Sequence, residues 1–472
     1  MFYPFYSPSA GLTAGYNEFN RAFIFTVDTT QAGSANDTFV LPLDGASSYN
    51  FTVHWGDGNS EVVTANSDQT HQYSSSGTYT IKIIGTFPHI YFNGAGDKAK
   101  LITVEQIGNV GWLSFASAFE GCSNLTTMKC CNGDTSNVTS MSSMFDGCSS
   151  LTTPTMTCFD TRSCTNFYKM FEGCSSITTA PDVSNWDTSN VTHIGNMFYN
   201  CTAMNTTPDV SNWDTSKVTS MANTFFGCSA LTSPPDMSSW DVSKVTSMYG
   251  MFYGASSISS GPDVSNWNTV KVTDMTNMFR DCSSLTTLDL TSFNTSSVTT
   301  MATMFLGCSS LTTLDLSNFD TSSVTTMATM FRNCSSLTTL DVSNFDTSSV
   351  TTTLRMFRDC SSLTNLDVSN FDTSSVTDMS TMFRGCSSLT TATFDDVADF
   401  DITALTDASD MFNGTSFAQQ SYDLLLVGWG SQAYNNNVPF NAGTAKYGAG
   451  APATARAALV TNGWTITDGG PA

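Results

Sequence analysis

The chain has 472 residues with a formal net charge of −23, and only 12% of its residues are charged. That acidic surplus argues against a nucleic-acid partner, because phosphate binding needs a basic surface, and against anionic membranes for the same reason. No run of about eighteen or more apolar residues occurs, so no membrane-inserted helix is expected.

Residues 1–22 open with "MFYPFYSPSAGLTAGYNEFN", which lacks a basic start followed by an apolar core and does not read as a secretory signal. Phe2, Tyr3, Phe5 and Tyr6 crowd around Pro4, and Pro8 further interrupts any helix. Exposed, such aromatics would be a liability, so the segment is expected to dock on another particle or surface subunit or on a second copy of the chain.

Residues 23–97 carry "FIFTVDTT", "YNFTVHWGDGNSEVVTA" and "GTYTIKIIGTF", which alternate apolar and polar residues between turn formers and predict a small all-β domain. "WGDGNS" at Trp55 to Ser60 and "HQYSSSGTYTIKI" from His71 resemble the polycystic-kidney-disease type domain. The resemblance implies an immunoglobulin-like sandwich with Asp57 and Gly58 shaping a hairpin and Tyr79 packed inside.

A repeat follows over residues 98–412. The Phe of a recurring "MF"-type pair marks its phase at Phe119, Phe145, Phe171, Phe198, Phe225, Phe252, Phe279, Phe305, Phe331, Phe357, Phe383 and Phe412, with a spacing of 26 or 27 residues and a last step of 29. Periods in this range indicate a solenoid, in which each unit buries its apolar face on its neighbours. Leu311, Leu314 and Leu316 have the spacing of a short strand with one face inward, and Val324, Met327, Ala328 and Phe331 fall at i, i+3, i+4 and i+7. The expected fold is therefore an α/β solenoid with one parallel strand and one short helix per repeat. Asp134, Asp160, Asp187, Asp214, Asp241, Asp320, Asp346 and Asp372 sit where they would cap those helices.

The unit "LTTLDLSNFDTSSVTTMATMFRNCSS" from Leu311 resembles the 26-residue bacterial surface-protein repeat, the BspA-like branch of the leucine-rich repeats. The resemblance extends from about Leu101 to Phe412. It implies surface display and adhesion without catalysis, and names no partner.

Ten cysteines, from Cys122 to Cys386, share the position three residues after the marker Phe, where Ala255 stands in one copy. They read as a ladder of buried thiols. Cys130 and Cys164 replace apolar repeat residues and should be buried, and Cys131 and Cys158 are candidates to approach each other. The histidines His54, His71, His89 and His193 are scattered, and no nucleophile elbow, phosphate loop or zinc-ligand spacing occurs, so no catalytic or metal site is assigned.

A second acidic ladder, Asp182, Asp209, Asp236, Asp263, Asp289, Asp315, Asp341 and Asp367, occupies the outward strand position in eight successive copies. Hydrogen bonds from nearby Ser and Thr would offset the repulsion along such a row. The same row is the candidate ligand-binding face, for a cationic protein, a glycan or Ca²⁺. Single carboxylates in a line lack the clustered oxygens of a dedicated Ca²⁺ loop, so no cofactor is expected.

Residues 413–472, with "SYDLLLVGWGSQ" and "ATARAALVTNGWTITDGG", predict two short helices and a final strand that cap the last coil. A surface-type repeat without an export signal points to a virion component, such as a phage tail-fibre, spike or decoration protein, presenting the solenoid to a host-surface protein or glycan. The alternative is a bacterial cell-surface adhesin. A third class, an ice- or mineral-binding solenoid, rests on Thr rows such as Thr312, Thr338 and Thr364.

Overall fold

The computed structural model describes residues 21–130, 132–389 and 396–472, which form two compact units, 1–217 and 218–472. The proposed docking residues Phe2, Tyr3, Phe5 and Tyr6 lie outside the described residues, as does Cys131.

In the first unit, β1 (Phe23–Asp28), β3 (Asn50–His54), β4 (Ser60–Val63), β6 (Thr78–Thr86) and β7 (Leu101–Gln106) pair antiparallel in the order β4-β3-β6-β1-β7. A separate ribbon joins β2 (Thr38–Leu41) to β5 (Gln69–Gln72). Alternation along β1 and β3 sends Phe23, Phe25, Val27, Phe51 and Val53 inward, where Phe23 meets Trp112, Phe25 meets Phe39, and Phe51 meets Tyr49 and Phe87. The inward tyrosine is Tyr73, 2% exposed, and its hydroxyl donates to the Trp55 carbonyl at 3.0 Å. Tyr79, expected inside, is half-buried and stacked on Tyr73 with ring centres 3.7 Å apart, because its hydroxyl is drawn outward to the Ser75 carbonyl. Asp57 does shape the β3–β4 turn, accepting from the Asn59 amide at 2.9 Å and contacting His71 Nε2 at 3.0 Å.

β7 does double duty. On one side it pairs antiparallel with β1, and on the other it pairs parallel with β8 (Thr127–Met128), which pairs with β9 (Thr153–Pro154). The N-terminal sheet thus runs directly into the first coils of the repeat.

From there each coil is built differently from the strand-and-helix unit expected. Most strand positions reduce to isolated parallel bridges between successive coils, such as Ser260 to Thr287 and Thr339 to Asn365. The stretch expected to be helical is a run of turns. Two residues per coil explain this. Thr329 and Asn333 have φ of 58° and 62°, and the equivalent positions two before and two after the other marker Phe residues are also left-handed, as at Lys169, Gly173, Gly307 and Arg355. A left-handed residue breaks the helical ladder. The amides then alternate: Thr329, Phe331 and Asn333 donate to Leu354, Met356 and Arg358 of the next coil at 2.8 to 2.9 Å, while Met330, Arg332 and Cys334 donate three residues back within their own coil. A helix would have consumed all of these amides internally. The Asp320 ladder accordingly caps turns and not helices: the Ser322 amide donates to Asp320 at 3.0 Å, and buried Thr321 donates its hydroxyl to the Asp346 carbonyl of the next coil at 2.9 Å.

The core of each unit is a set of side-chain ladders. Phe119, Phe145, Phe171 and Phe198 stack in the first unit with ring centres 5.5 to 5.7 Å apart. In the second unit, Phe305, Phe331, Phe357, Phe383 and Phe412 stack at 5.7 to 5.8 Å. Beside them runs the cysteine ladder: Cys308, Cys334 and Cys360 are fully buried, and their thiols donate to the carbonyls of Phe279, Phe305 and Phe331. Burial pushes the Cys334 and Cys386 thiols up to about 12. Cys130 and Cys164 are buried as expected, but it is Cys130 that joins Cys158, in a disulfide with Cα atoms 6.0 Å apart. The native protein should therefore resist a thiol reagent at pH 8, and denaturation without reductant should release the eleven thiols of the described residues, counted by colorimetric titration. Fewer would mean that disulfides cross-link the ladder.

The second unit ends in α1 (Gln419–Gly430), β10 (Pro439–Asn441), α2 (Ala451–Thr461) and β11 (Thr465–Thr467), with β10 and β11 parallel. Phe440 of β10 bridges Ala408 of the last coil, and Trp429 of α1 is fully buried against it.

Candidate functional site

The outward Asp row stands where the phase placed it. In the second unit Leu314 and Leu316 are 6% and 1% exposed, whereas Asp315 between them is exposed, and Asp236, Asp263, Asp289, Asp341 and Asp367 are exposed at the same position. Asp182 and Asp209 hold it in the first unit. Adjacent rungs are about 4.8 Å apart, so the carboxylates form a line of like charge.

Local hydrogen bonds make that line tolerable. Each Asp is followed two residues later by Ser or Thr, whose amide donates to the carboxylate: Ser238 and Ser265 at 3.1 Å, Thr291 at 3.0 Å, Ser317 and Ser343 at 2.9 Å. Hydroxyls add a second bond, as from Ser265 to Asp263 at 2.7 Å and from Ser369 to Asp367 at 2.6 Å. Bonds from Ser317 hold the Asp315 carboxyl below the usual carboxylate range, although Asp289 and Asp341 push it upward. Asp236, Asp263, Asp289, Asp341 and Asp367 are lowered for the same principal reason. Hydrogen bonds within the local turn thus stabilise the ionised carboxylates.

In the second unit the row borders a shallow groove. One section of ≈ 590 Å³ is lined by Asp263, Asp289 and Asp315 with Ser260, Thr287 and Thr313. The next, of ≈ 450 Å³, is lined by Asp315, Asp341 and Asp367 with Thr313, Thr339 and Asn365. Thr287, Thr313, Thr339 and Asn365, two positions before Asp289, Asp315, Asp341 and Asp367, escaped the sequence reading, although they recur in the same phase. The groove therefore offers carboxylate acceptors flanked by hydroxyls that both donate and accept. Among the described residues no group of three or more His, Cys, Asp or Glu is placed to hold a metal ion. His71 and His89 lie in the N-terminal sheet region of the first unit against Asp57 and Asp44, at 3.0 and 3.1 Å. The exposed Thr338 and Thr364 hydroxyls donate to the carbonyls of Thr312 and Thr338, at 3.3 and 3.1 Å, binding coil to coil.

Stacked coils with an inward Leu-x-x-Leu-x-Leu strip, buried Phe and Cys ladders and an outward Asp row define a leucine-rich-repeat protein of the BspA-like kind. The chain belongs to the family described as "Mycoplasma protein of unknown function, DUF285", whose model matches residues 113–234, 174–261, 205–313, 258–340 and 307–425. No curated protein matches the chain. Similar solved structures include a leucine-rich cell surface protein from Faecalibacterium prausnitzii A2-165, 16% identical, with 81% of this chain and 98% of that one covered and a TM-score of 0.35. A leucine-rich-repeat protein from Eubacterium ventriosum ATCC 27560 is also 16% identical, with 80% and 95% covered and a TM-score of 0.29. At those scores neither likeness carries an argument about this chain. Among the described residues no helix is long and apolar enough to cross a membrane.

Proposed function

We propose that this chain is a non-enzymatic recognition protein displayed on a cell surface, and that the Asp row of the second unit is its ligand face. The observation that carries this is the groove itself: carboxylates held ionised by their own turns, aligned at a regular spacing and flanked by Thr hydroxyls. A glycan fits it, because pairs of sugar hydroxyls donate to carboxylates and accept from Thr. The resemblance of the repeat to a bacterial surface-protein repeat, together with the match to a family described from a cellular organism, supports a cell surface and lends nothing to a virion component. Attachment through residues 1–22 to neighbouring subunits belongs to the same proposal.

The test is the triple variant Asp289→Asn, Asp315→Asn, Asp341→Asn on a glycan array. Asn caps such a turn without charge, as Asn294 does by accepting from the Ser296 amide at 3.1 Å and its hydroxyl at 2.7 Å, so the variant should fold. The wild type should retain a defined glycan class that the variant loses by roughly tenfold or more, the loss of charge-assisted bonds. A wild type that retains no glycan, or a variant that retains the same glycans equally, rules the row out as the ligand face.

A further inference from the structure

Between residues 272 and 445 the chain contains five basic side chains, all arginine: Arg280, Arg332, Arg355, Arg358 and Arg384. Four of them occupy the position directly after the marker Phe, and Arg355 lies two residues before Phe357. The coil-to-coil ladder brings these positions into line, since Asn333 donates to the Arg358 carbonyl at 2.8 Å and Asp359 to the Arg384 carbonyl at 2.7 Å. The basic side chains of this stretch are thus gathered on one strip.

Three of the five are answered by acids. Arg280 meets Asp281 at 3.4 Å, Arg358 meets Asp359 at 3.1 Å, and Arg384 meets Asp410 at 3.1 Å. Arg332 and Arg355 are not: among the described residues neither has an ion pair, and the Nε of each is buried without a hydrogen-bond partner. The residue after Arg332 is Asn333, where Arg280 and Arg358 are followed by Asp. Burial lowers the Arg332 guanidinium pKa, and the nearby charges of Arg358 and Arg355 lower it further, with the carboxylate of Asp359, already paired to Arg358, acting the other way.

The stack does not require these guanidinium groups. Leu306 fills the Arg332 position one coil earlier, and Thr303, Thr329 and Thr381 fill the Arg355 position in neighbouring coils. Half-buried, unpaired cations of like sign cost free energy in the unliganded protein, and an anion removes that cost.

We propose that Arg332, Arg355 and Arg358 form a binding site for one oxyanion, the sulfate, phosphate or carboxylate group of a ligand. The planar donor forks of arginine match such a group. The chain's net charge of −23 disfavours an extended polyanion, so a single anionic group is the ligand. The site lies on a strip of the coil separate from the Asp row and does not depend on that row's role.

The probe is sodium sulfate, with sodium chloride at matched ionic strength as reference, followed by calorimetric titration of the full chain. The wild type should show saturable sulfate binding. Arg332→Leu and Arg355→Thr, each a residue the repeat already accommodates at that position, should weaken it by roughly tenfold, the value of one charge-assisted contact. Arg162→Gln, on the exposed Arg162–Asp160 pair of the first unit, should leave it unchanged. A sulfated disaccharide that binds more tightly than sulfate identifies a group on a saccharide, and equal affinity identifies the free anion; either outcome upholds the site. Non-saturating sulfate response, or saturable binding equal in the wild type and both arginine variants, overturns it.

Discussion

Replacing Phe331 with alanine lowers the stability of the second unit by about 3–5 kcal/mol, the range for truncating a buried aromatic. Phe331 is fully buried, with Phe305 and Phe357 each 5.7 Å away on its two faces. The rungs on either side are fixed by backbone bonds, so the space left by the ring cannot close by a shift of one coil. Both neighbours lose a stacking partner, because coils in such an array are stabilised chiefly by the coils they touch. Phe331→Leu keeps most of the volume and should cost less. Urea unfolding checks this: the alanine variant's midpoint should fall with little change in slope, and a loss below about 1 kcal/mol would show that the ring ladder is not the core.

The second large effect is expected at Asp97 and Lys100. Both side chains are almost fully buried, at 2% and 0% exposure, with Nζ and Oδ2 3.6 Å apart. Asp97 accepts from the Ser34 amide at 2.6 Å, the Ser34 hydroxyl at 2.7 Å and the Val40 amide at 2.8 Å. Lys100 donates to the carbonyls of Ser34, Ala35 and Thr38 at 3.1, 2.9 and 2.7 Å. Together they tie the loop before β2 to the start of β7. Asp97→Ala leaves a buried ammonium without its counter-ion and should cost about 3–5 kcal/mol. The double variant Asp97→Ala, Lys100→Met removes the stranded charge and should recover a large part of that loss. Equal melting of the single and double variants would show that the damage comes from the lost turn contacts and not from the charge.

Phase alone made much of this fold readable. Once the marker Phe was set, the buried faces of Leu314, Leu316 and Cys334 and the outward face of Asp315 followed from periodicity, because each depends only on position within a coil. The missing helix did not follow. Val324, Met327, Ala328 and Phe331 have helical spacing, but the left-handed backbone at Thr329 leaves no mark in a threonine. A fainter signal was present two residues after the marker, where Gly121, Gly147, Gly173, Asn333 and Asp359 are residue types that tolerate positive φ. Contacts set by the fold as a whole were less legible still. Spacing could not show that Cys130, not Cys131, meets Cys158, or that Tyr73, not Tyr79, points inward. The Asp row was visible as a row, but its groove depends on Thr287, Thr313 and Thr339 standing beside it. The arginines went unread as a group because two offsets from the marker Phe, not one, converge on the same strip.

The double pairing of β7 bears on how the chain avoids self-association. A coil with an unpaired side offers a line of amides and carbonyls onto which another molecule's coil could add, and a parallel array of identical rungs is well suited to such templating. Here the rung that starts the array is already occupied on its outer side by β1, which runs in the opposite direction and belongs to a sheet with its own core. Reversal of strand direction at a single strand thus serves as a terminator: the repeat can be long and nearly uniform without its first rung being available for growth into a fibre.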